Sequence, residues 1–99
     1  MIETIVKRDG RQVPFAPSKI TDAIYKAAQV LGGNDREMAE ELTQKVIAYL
    51  TDELHETRPA VEQVQDAVEK VLIENGHART AKEFILYRAE RTRVRDMNT

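Results

Sequence analysis

The chain has 99 residues, of which 41% are hydrophobic and 32% charged, and this length and composition suit one compact domain with a single core. Its formal net charge of -2 argues against nucleic-acid binding through bulk positive charge, and the lack of cysteine excludes disulfides, thiolate metal sites and thiol redox chemistry in these residues. The charged N-terminus is unlike a secretory signal and no run approaches the roughly 20 apolar residues of a membrane span, so we expect a cytoplasmic protein without a membrane partner.

Two short runs rich in β-branched residues predict a β-hairpin at the start of the chain. The runs Ile2–Lys7 and Gln12–Phe15 flank the sequence Arg-Asp-Gly-Arg. Asp-Gly is the preferred pair for a tight type I′ turn, in which both central residues have positive φ. Pro14 lacks the N–H that a central strand would donate, so we expect a small sheet whose second strand is short or at an edge.

Two stretches with apolar residues at helical spacing follow the hairpin. The first begins at Ser18 or at the preceding Ala-Pro pair, and a Gly-Gly pair ends it. The second is capped by Asn34 or Asp35, and its pattern fades near residues 52–55. Both stretches are predicted to be amphipathic helices.

Two more helices are predicted in the second half of the chain. Pro59 presets the start of the third helix, and the Asn-Gly pair at Asn75 ends it. The fourth begins at His77 or, as the capping-box spacing indicates, at Thr80, and it reaches a basic tail. The predicted fold class is therefore α+β and mostly helical, with a hairpin followed by four helices.

Basic residues at two places could bind an anion. Lys7 and Arg8 lie on the rim of the hairpin, where a mobile point charge and a planar guanidinium together suit a polyphosphate. Solvated strand edges carry the same residue types to prevent aggregation.

Lys19 lies in the first turn of the first helix, where the helix dipole disfavours a cation unless an anion lies nearby. An ordinary surface lysine is the alternative.

A third basic group lies on the fourth helix. Arg88, Arg91 and Arg95 follow one another at spacings that align them on one helical face. A solvated helix end, favoured by the macrodipole, accounts for Arg93 and Arg95. Tyr87 and the first two arginines of the face could instead contact a nucleotide.

The remaining polar candidates are few. Gln65 lies beside the apolar stripe of the third helix, where its amide could contact a phosphate or a base, or simply close a groove. His55 and His77 have no carboxylate or cysteine at ligand spacing, so we expect no metal site and no catalytic pair. Neither the P-loop motif nor the Rossmann glycine motif occurs, so a nucleotide site must be of another type.

The order of these motifs resembles the ATP-cone family, over nearly the whole chain. The matching segments are Val6–Arg11, Val13–Phe15, Lys19-Ile20, Val64–Glu69 and Ala81–Arg88 with Arg91. The resemblance implies a hairpin lid over a four-helix bundle, with ATP or dATP bound between them. It also implies an allosteric role, in which ATP favours and dATP opposes the overall activity of an attached ribonucleotide reductase.

The resemblance further implies which residues bind the nucleotide, together with Mg2+. They are Val6, Lys7, Arg8, Lys19, Ile20, Gln65 and Arg91. Lys7, Arg8 and Lys19 would bind the phosphates. Gln65 and Arg91 would add polar contacts. The two aliphatic residues would pack against the base or sugar. Apolar Val13 and Ala16 stand where some family members carry polar side chains near the ribose.

The resemblance also implies a larger parent chain. The ending Arg91–Thr99 is similar to the junction with the catalytic barrel in anaerobic, glycyl-radical ribonucleoside-triphosphate reductases. We therefore expect residues 1–95 to be a regulatory domain without catalytic residues, and residues 96–99 to start a linker to the catalytic domain. We expect homo-oligomers that depend on the ligand. Met1 lies so near the first strand that a zinc-ribbon repressor of reductase genes, which also contains a cone, is disfavoured.

Two functions of other classes remain open from the sequence. A helical interaction module without a ligand would dock an acidic partner on the basic tail, and the hairpin would be scaffold. A nucleic-acid binder would use the face from Arg88 to Arg95 and would lose affinity steeply with salt. The net charge makes the second the weaker alternative.

Overall fold

A computed structural model describes residues 2–97, apart from the side chains at positions 95 and 96. Strands β1 (Thr4–Val6) and β2 (Gln12–Pro14) pair antiparallel, with Ile5 opposite Val13. The helices are α1 (Pro17–Val30), α2 (Arg36–Ala48), α3 (Val61–Glu74) and α4 (Ala78–Met97). The predicted α+β, mostly helical fold with a hairpin before four helices is confirmed.

The hairpin loop differs from the predicted type I′ turn. The Gly10 N–H donates to the Lys7 carbonyl at 2.9 Å, and the Lys7 N–H donates to the Arg11 carbonyl at 2.8 Å, so the loop contains three residues. Gly10 has φ of +88°, whereas Asp9 is not among the residues with positive φ in the range 2–97. This is the three-residue loop in which a turn is followed by one left-handed residue. The Asp9 carboxylate stabilises it by accepting from the Arg11 backbone N–H at 3.0 Å and from Arg11 Nε at 2.7 Å.

The first two helices begin at sites that the sequence offered. Ala16 precedes α1 in extended conformation without a side-chain hydrogen bond, so the fixed φ of Pro17 and not the Ser18 hydroxyl marks the start. Asp35 caps α2, because its carboxylate accepts the Met38 N–H at 3.0 Å. Proline and aspartate therefore set these two ends.

The second helix extends beyond the point where its apolar pattern fades. Tyr49–Glu53 continues it as one turn of π-helix, and Leu50 in this turn is fully buried. The chain then leaves the helix through His55, whose φ is +52°. The free energy gained by burying the Leu50 side chain therefore outweighs the weak apolar pattern of the polar residues around it.

The fourth helix begins earlier than the capping box indicates. The His77 carbonyl already accepts the Ala81 N–H at 2.9 Å, and Thr80 is buried within the first turn of α4. Thr80 therefore cannot cap the helix, and the predicted start at that residue is wrong. The helix runs through Met97, whereas residues 98 and 99 lie outside the described part, so the boundary between domain and linker stays a prediction.

Each helix contacts two others, in the ring order α1, α2, α3, α4. Their inner faces form one core, in which the largest fully buried aliphatic side chains are Ile24, Val46, Leu50, Val68 and Leu72. The Val6 N–H donates to the Pro59 carbonyl at 3.0 Å, which fixes β1 beside the start of α3. The hairpin thus lies over one end of the bundle. None of the helices in residues 2–97 is both long and apolar enough to cross a membrane.

Candidate functional site

A cavity of about 200 Å³ lies between the hairpin and three of the helices, α1, α3 and α4. Its walls are apolar, and their large side chains are Ile5, Phe15, Ile20, Val64, Val68 and Phe84. Its rim carries cations. The cavity therefore combines a surface that suits a flat apolar ring with a charge that suits an anion.

Helical spacing explains how the walls are built. On α3 the lining residues Val61, Val64, Gln65 and Val68 follow at the spacing of one helical face. On α4 the same spacing aligns Phe84 with the residues one and two turns later, which include Tyr87, Arg88, Arg91 and Thr92. The turn of α1 next to the hairpin contributes Lys19, Ile20 and Ala23.

Three of the cavity's cations are available to a ligand. Lys7 comes from the hairpin, Lys19 from α1 and Arg91 from α4, so they converge from separate elements. Among the ion pairs between described residues, none includes any of these three. Within the described residues Arg91 makes a cation–π contact, in which its guanidinium carbon lies 5.8 Å from the centre of the Tyr87 ring. An anion at the rim would therefore meet charges that are not already neutralised.

Arg8 connects the hairpin to two helices across the rim. Its Nε lies 2.7 Å from Glu62 Oε1 of α3, and its Nη2 donates to Thr92 Oγ1 of α4 at 3.1 Å. Thr92 Oγ1 in turn donates to the Arg88 carbonyl at 3.1 Å. Arg8 therefore holds the loop in place as well as facing the cavity.

Arg88 lines the cavity but is paired. Its Nη1 donates to Asp66 Oδ1 and to Glu69 Oε1, both at 2.9 Å, and its side chain is only 21% exposed. Burial alone would lower the pKa of Arg88, but the hydrogen bonds to the two carboxylates outweigh it and the net pKa is raised. The sequence left open whether this arginine is solvated or faces a ligand. The structure places it between the cavity and two carboxylates of α3.

Gln65 presents an unusual polar atom to the cavity. Its Oε1 is buried and has no hydrogen-bond partner among the described residues. Buried carbonyl oxygens are nearly always hydrogen-bonded in folded proteins. This atom is therefore suited to accept a hydrogen bond from a bound molecule or from water.

Six of the seven residues expected at the nucleotide site line this cavity. They are Lys7, Arg8, Lys19, Ile20, Gln65 and Arg91. Val6 does not, because neighbouring strand residues point to opposite faces and Ile5 takes the cavity side. Val13 and Ala16 also line the cavity, so that part of the wall is apolar.

Several lining residues were not singled out from the sequence as contacts. Phe84 and Thr92 belong to this group, although their helical spacing from Arg88 and Arg91 could have identified them. Farther along α4, Arg93 pairs with Glu90 at 2.6 Å on the exposed surface, as a solvated helix end would. The side chain of Arg95 lies outside the described residues.

Comparison with known proteins identifies the family. Residues 3–93 match the family described as the ATP cone domain. The chain belongs to the ATP-cone family. Cones of this family are generally allosteric regulatory domains of ribonucleotide reductases, and the predicted resemblance is confirmed.

This ATP cone is similar to the N-terminal regions of several reductases. It is 46% identical, over 97% of its length, to 13% of the vitamin B12-dependent ribonucleoside-diphosphate reductase of Thermoplasma acidophilum. It is 38% identical, over 94% of its length, to 10% of the ribonucleoside-diphosphate reductase subunit alpha of Chlamydia muridarum. It is 29% identical, over 92% of its length, to 12% of the anaerobic ribonucleoside-triphosphate reductase of Salmonella typhimurium. The cone thus spans only a small fraction of the length of these relatives.

Proposed function

We propose that the cavity binds ATP or dATP as an allosteric effector. The observation that carries this proposal is the convergence of Lys7, Lys19 and Arg91 from three elements on the rim of an apolar cavity. Membership of the ATP-cone family supports a nucleotide as the ligand. The binding residues are those implied by the family resemblance that line the cavity.

The phosphates would bind at the rim, with Mg2+ bound to them. Lysine and arginine offer different geometries, a point charge and a planar fork, so the rim could follow phosphate oxygens that point in several directions. Arg8 could bind a phosphate only if its guanidinium is shared between that phosphate and Glu62. Arg91 would contribute from the opposite side, on α4.

The base and sugar would bind in the apolar part of the cavity. Ile20 lies in this part with Val64 and Phe84, which provide the flat apolar contacts that a purine ring needs. Val6 would act indirectly, because its backbone bond to Pro59 holds the hairpin over the site.

The effector would regulate the overall activity of an attached ribonucleotide reductase. ATP would favour activity and dATP would oppose it, by changing which surface the cone presents to its own parent chain or to a second copy. A coupling free energy of about 1–3 kcal/mol is sufficient for such control. Because only differential affinity shifts an equilibrium, the two nucleotides must stabilise different states of the cone.

The parent chain would be a cytoplasmic reductase that forms oligomers according to the bound nucleotide. The anaerobic class is the finer proposal, since the ending Arg91–Thr99 is similar to that junction. The relatives include B12-dependent and two-subunit reductases as well as an anaerobic one. Sequencing the downstream coding region tests the proposal: a glycyl-radical segment supports the anaerobic class, and its absence contradicts it.

Nucleotide binding is tested by calorimetric titration of the 99-residue chain with ATP and with dATP in the presence of Mg2+. The double variant Lys7→Ala, Lys19→Ala should lose binding. The matched control is Lys26→Ala, Lys82→Ala, which removes the same charge from exposed positions that do not line the cavity. No heat from the folded, unchanged chain would overturn the proposal and favour a module that docks a protein partner.

A further inference from the structure

We propose that Gln65 makes the cavity selective for adenine, by accepting a hydrogen bond from the exocyclic amino group of the base at Oε1. This inference rests on the proposed function, because it assigns a role to one residue of the same cavity. It adds a chemical basis for choosing among purine nucleotides.

The unpartnered state of Gln65 Oε1 is the starting point. The atom is buried on the cavity wall, and no donor among the described residues reaches it. A buried carbonyl oxygen without a donor has lost its hydrogen bonds to water and gained none in return. A ligand that supplies one N–H at this place would therefore gain affinity from it.

The other polar side chains that line the cavity are donors only, are already paired or, in the case of Tyr87, are 40% exposed and can bond to water. The cations Lys7, Lys19 and Arg91 have donors only. The Thr92 hydroxyl accepts from Arg8 and donates to a backbone carbonyl. The lining thus offers many donors and, among the described residues, one buried side-chain acceptor without a partner. A matching ligand needs acceptors for the rim and a donor for the interior.

A nucleotide bound with its phosphates at the rim meets both requirements. Phosphate oxygens accept hydrogen bonds and, when ionised, have no N–H or O–H to donate, so they cannot satisfy Gln65 Oε1. Gln65 lies on the same face of α3 as the buried Val64 and Val68, which form the apolar wall that suits a base. At the 6-position of a purine, adenine presents an amino group that donates, whereas guanine presents a carbonyl oxygen that cannot donate to Gln65 Oε1.

Apolar residues on the opposite side strengthen the assignment. Val13 and Ala16 line the hairpin side of the cavity and have no side-chain hydrogen-bonding groups. Recognition of the base edge by a buried, unpartnered side-chain acceptor therefore falls to α3. Gln65 is the residue of that helix face with the required acceptor.

The test compares ATP with purine riboside triphosphate, which is ATP without the 6-amino group, in calorimetric titrations of the whole chain. The unchanged chain should bind the analogue roughly tenfold more weakly than ATP, the size expected for one lost hydrogen bond to a buried acceptor. Gln65→Met keeps the length and helix propensity of the side chain but removes the acceptor. This variant should bind both nucleotides with equal affinity.

Two further variants complete the test. Gln65→Glu keeps an acceptor in either orientation of the side chain, so it should retain the preference for ATP over the analogue even though its charge weakens the binding of both. Gln44→Met places the same substitution on α2 outside the cavity and should behave as the unchanged chain. Circular dichroism establishes that each variant is folded.

The outcomes separate this inference from the proposed function. If Gln65→Met still prefers ATP over the analogue, or if the unchanged chain binds both equally, Gln65 does not read the amino group and the inference is overturned while nucleotide binding stands. A Gln65→Met variant that weakens both nucleotides by the same factor overturns it too, because the contact would then be to the ribose or phosphates. If the unchanged chain binds no ATP at all, the proposed function itself fails.

Discussion

Arg8 at the hairpin loop pairs with Glu62 of α3, with 2.7 Å between Nε and Oε1. This ion pair connects the hairpin to α3 at the rim of the cavity. The hydrogen bond from Arg8 to Thr92 connects the hairpin to α4 at the same rim. A phosphate that binds Arg8 must share this guanidinium with the carboxylate or displace it. Glu62 therefore competes with the proposed ligand for Arg8 and also repels its charge.

Replacing Glu62 by glutamine should tighten nucleotide binding by roughly threefold to tenfold, because the substitution removes a negative charge beside the phosphates. The free energy of unfolding should change by less than about 1 kcal/mol, since the two side chains are 36% and 41% exposed and water screens the pair. Titration calorimetry and urea denaturation measure the two effects. Glu41→Gln, on the exposed surface of α2, is the matched control. Equal affinities for the two variants would exclude competition at Arg8.

A second prediction concerns the threonines that join α1 to α2. Thr21 Oγ1 and Thr43 Oγ1 lie 2.8 Å apart in the core, and Thr43 Oγ1 also donates to the Ala39 carbonyl at 2.8 Å. Thr21 Oγ1 also lies 3.4 Å from the Pro17 carbonyl; because the contact from Thr43 to the Ala39 carbonyl is the shorter one, we assign the Thr43 proton to that carbonyl and Thr21 as the donor of the pair. Thr21→Val should therefore lower the free energy of unfolding by about 1–2 kcal/mol, since it leaves a buried oxygen with one donor fewer.

The double variant Thr21→Val, Thr43→Val should cost less than the sum of the two single variants, by about 1 kcal/mol, because neither hydroxyl then lacks its partner. Urea denaturation followed by circular dichroism measures all four proteins of the cycle. Thr57→Val, at an exposed position, should change stability by less than about 0.5 kcal/mol. Strict additivity in the cycle would show that the two hydroxyls do not interact.

A third prediction separates the two carboxylates that Arg88 contacts. The Glu69 side chain is 21% exposed and the Asp66 side chain is 69% exposed, although both oxygens lie 2.9 Å from Arg88 Nη1. Glu69→Gln should therefore lower the free energy of unfolding by about 1 kcal/mol, while Asp66→Asn should cost less than about 0.5 kcal/mol. Glu90→Gln, which weakens an exposed pair with Arg93, is the control. Equal losses for Glu69 and Asp66 in urea denaturation would contradict the argument from screening.

The fold was predictable from the sequence because its signals are local. Pro17 and Asp35 mark helix starts through backbone geometry and capping, and Pro59 directly precedes Ala60, the N-cap residue of α3; these signals depend only on neighbouring residues. The wrong start predicted for α4, in contrast, has a non-local origin. Thr80 has the spacing of a cap, but its burial in the core, which depends on residues far away in the sequence, places it inside the helix.

The cavity was only partly predictable, because its polar pairs join distant parts of the chain. The family resemblance supplied Lys7, Lys19 and Gln65, but no sequence spacing indicates that Arg8 pairs with Glu62 or that the oxygen of Gln65 is buried. Those facts depend on how the hairpin lies against α3. The orientation of Val6 away from the cavity likewise follows from the register of β1, which the sequence pattern did not specify.

The last prediction concerns pH and the hairpin loop. The Arg11 backbone N–H, and less strongly the Arg11 guanidinium, lower the pKa of Asp9 from its ordinary value of 3.8. Because the folded-state pKa is below the unfolded one, the stabilisation of the loop is complete above the unfolded pKa and is lost as the pH falls through the folded pKa. An NMR titration of the Asp9 carboxyl should therefore give a lower pKa in the folded chain than in a peptide of the loop sequence.

Arg11→Ala should raise the pKa of Asp9 only part of the way, because alanine keeps the backbone N–H that is the larger cause and removes only the guanidinium. Arg36→Ala removes the same charge from a residue paired with Asp22 and should leave the Asp9 titration unchanged. A complete return to the peptide value in Arg11→Ala would mean that the guanidinium alone holds the carboxylate. The three-residue loop would then owe its conformation to an ion pair that salt can screen, and the position of Arg8 over the cavity would depend on ionic strength.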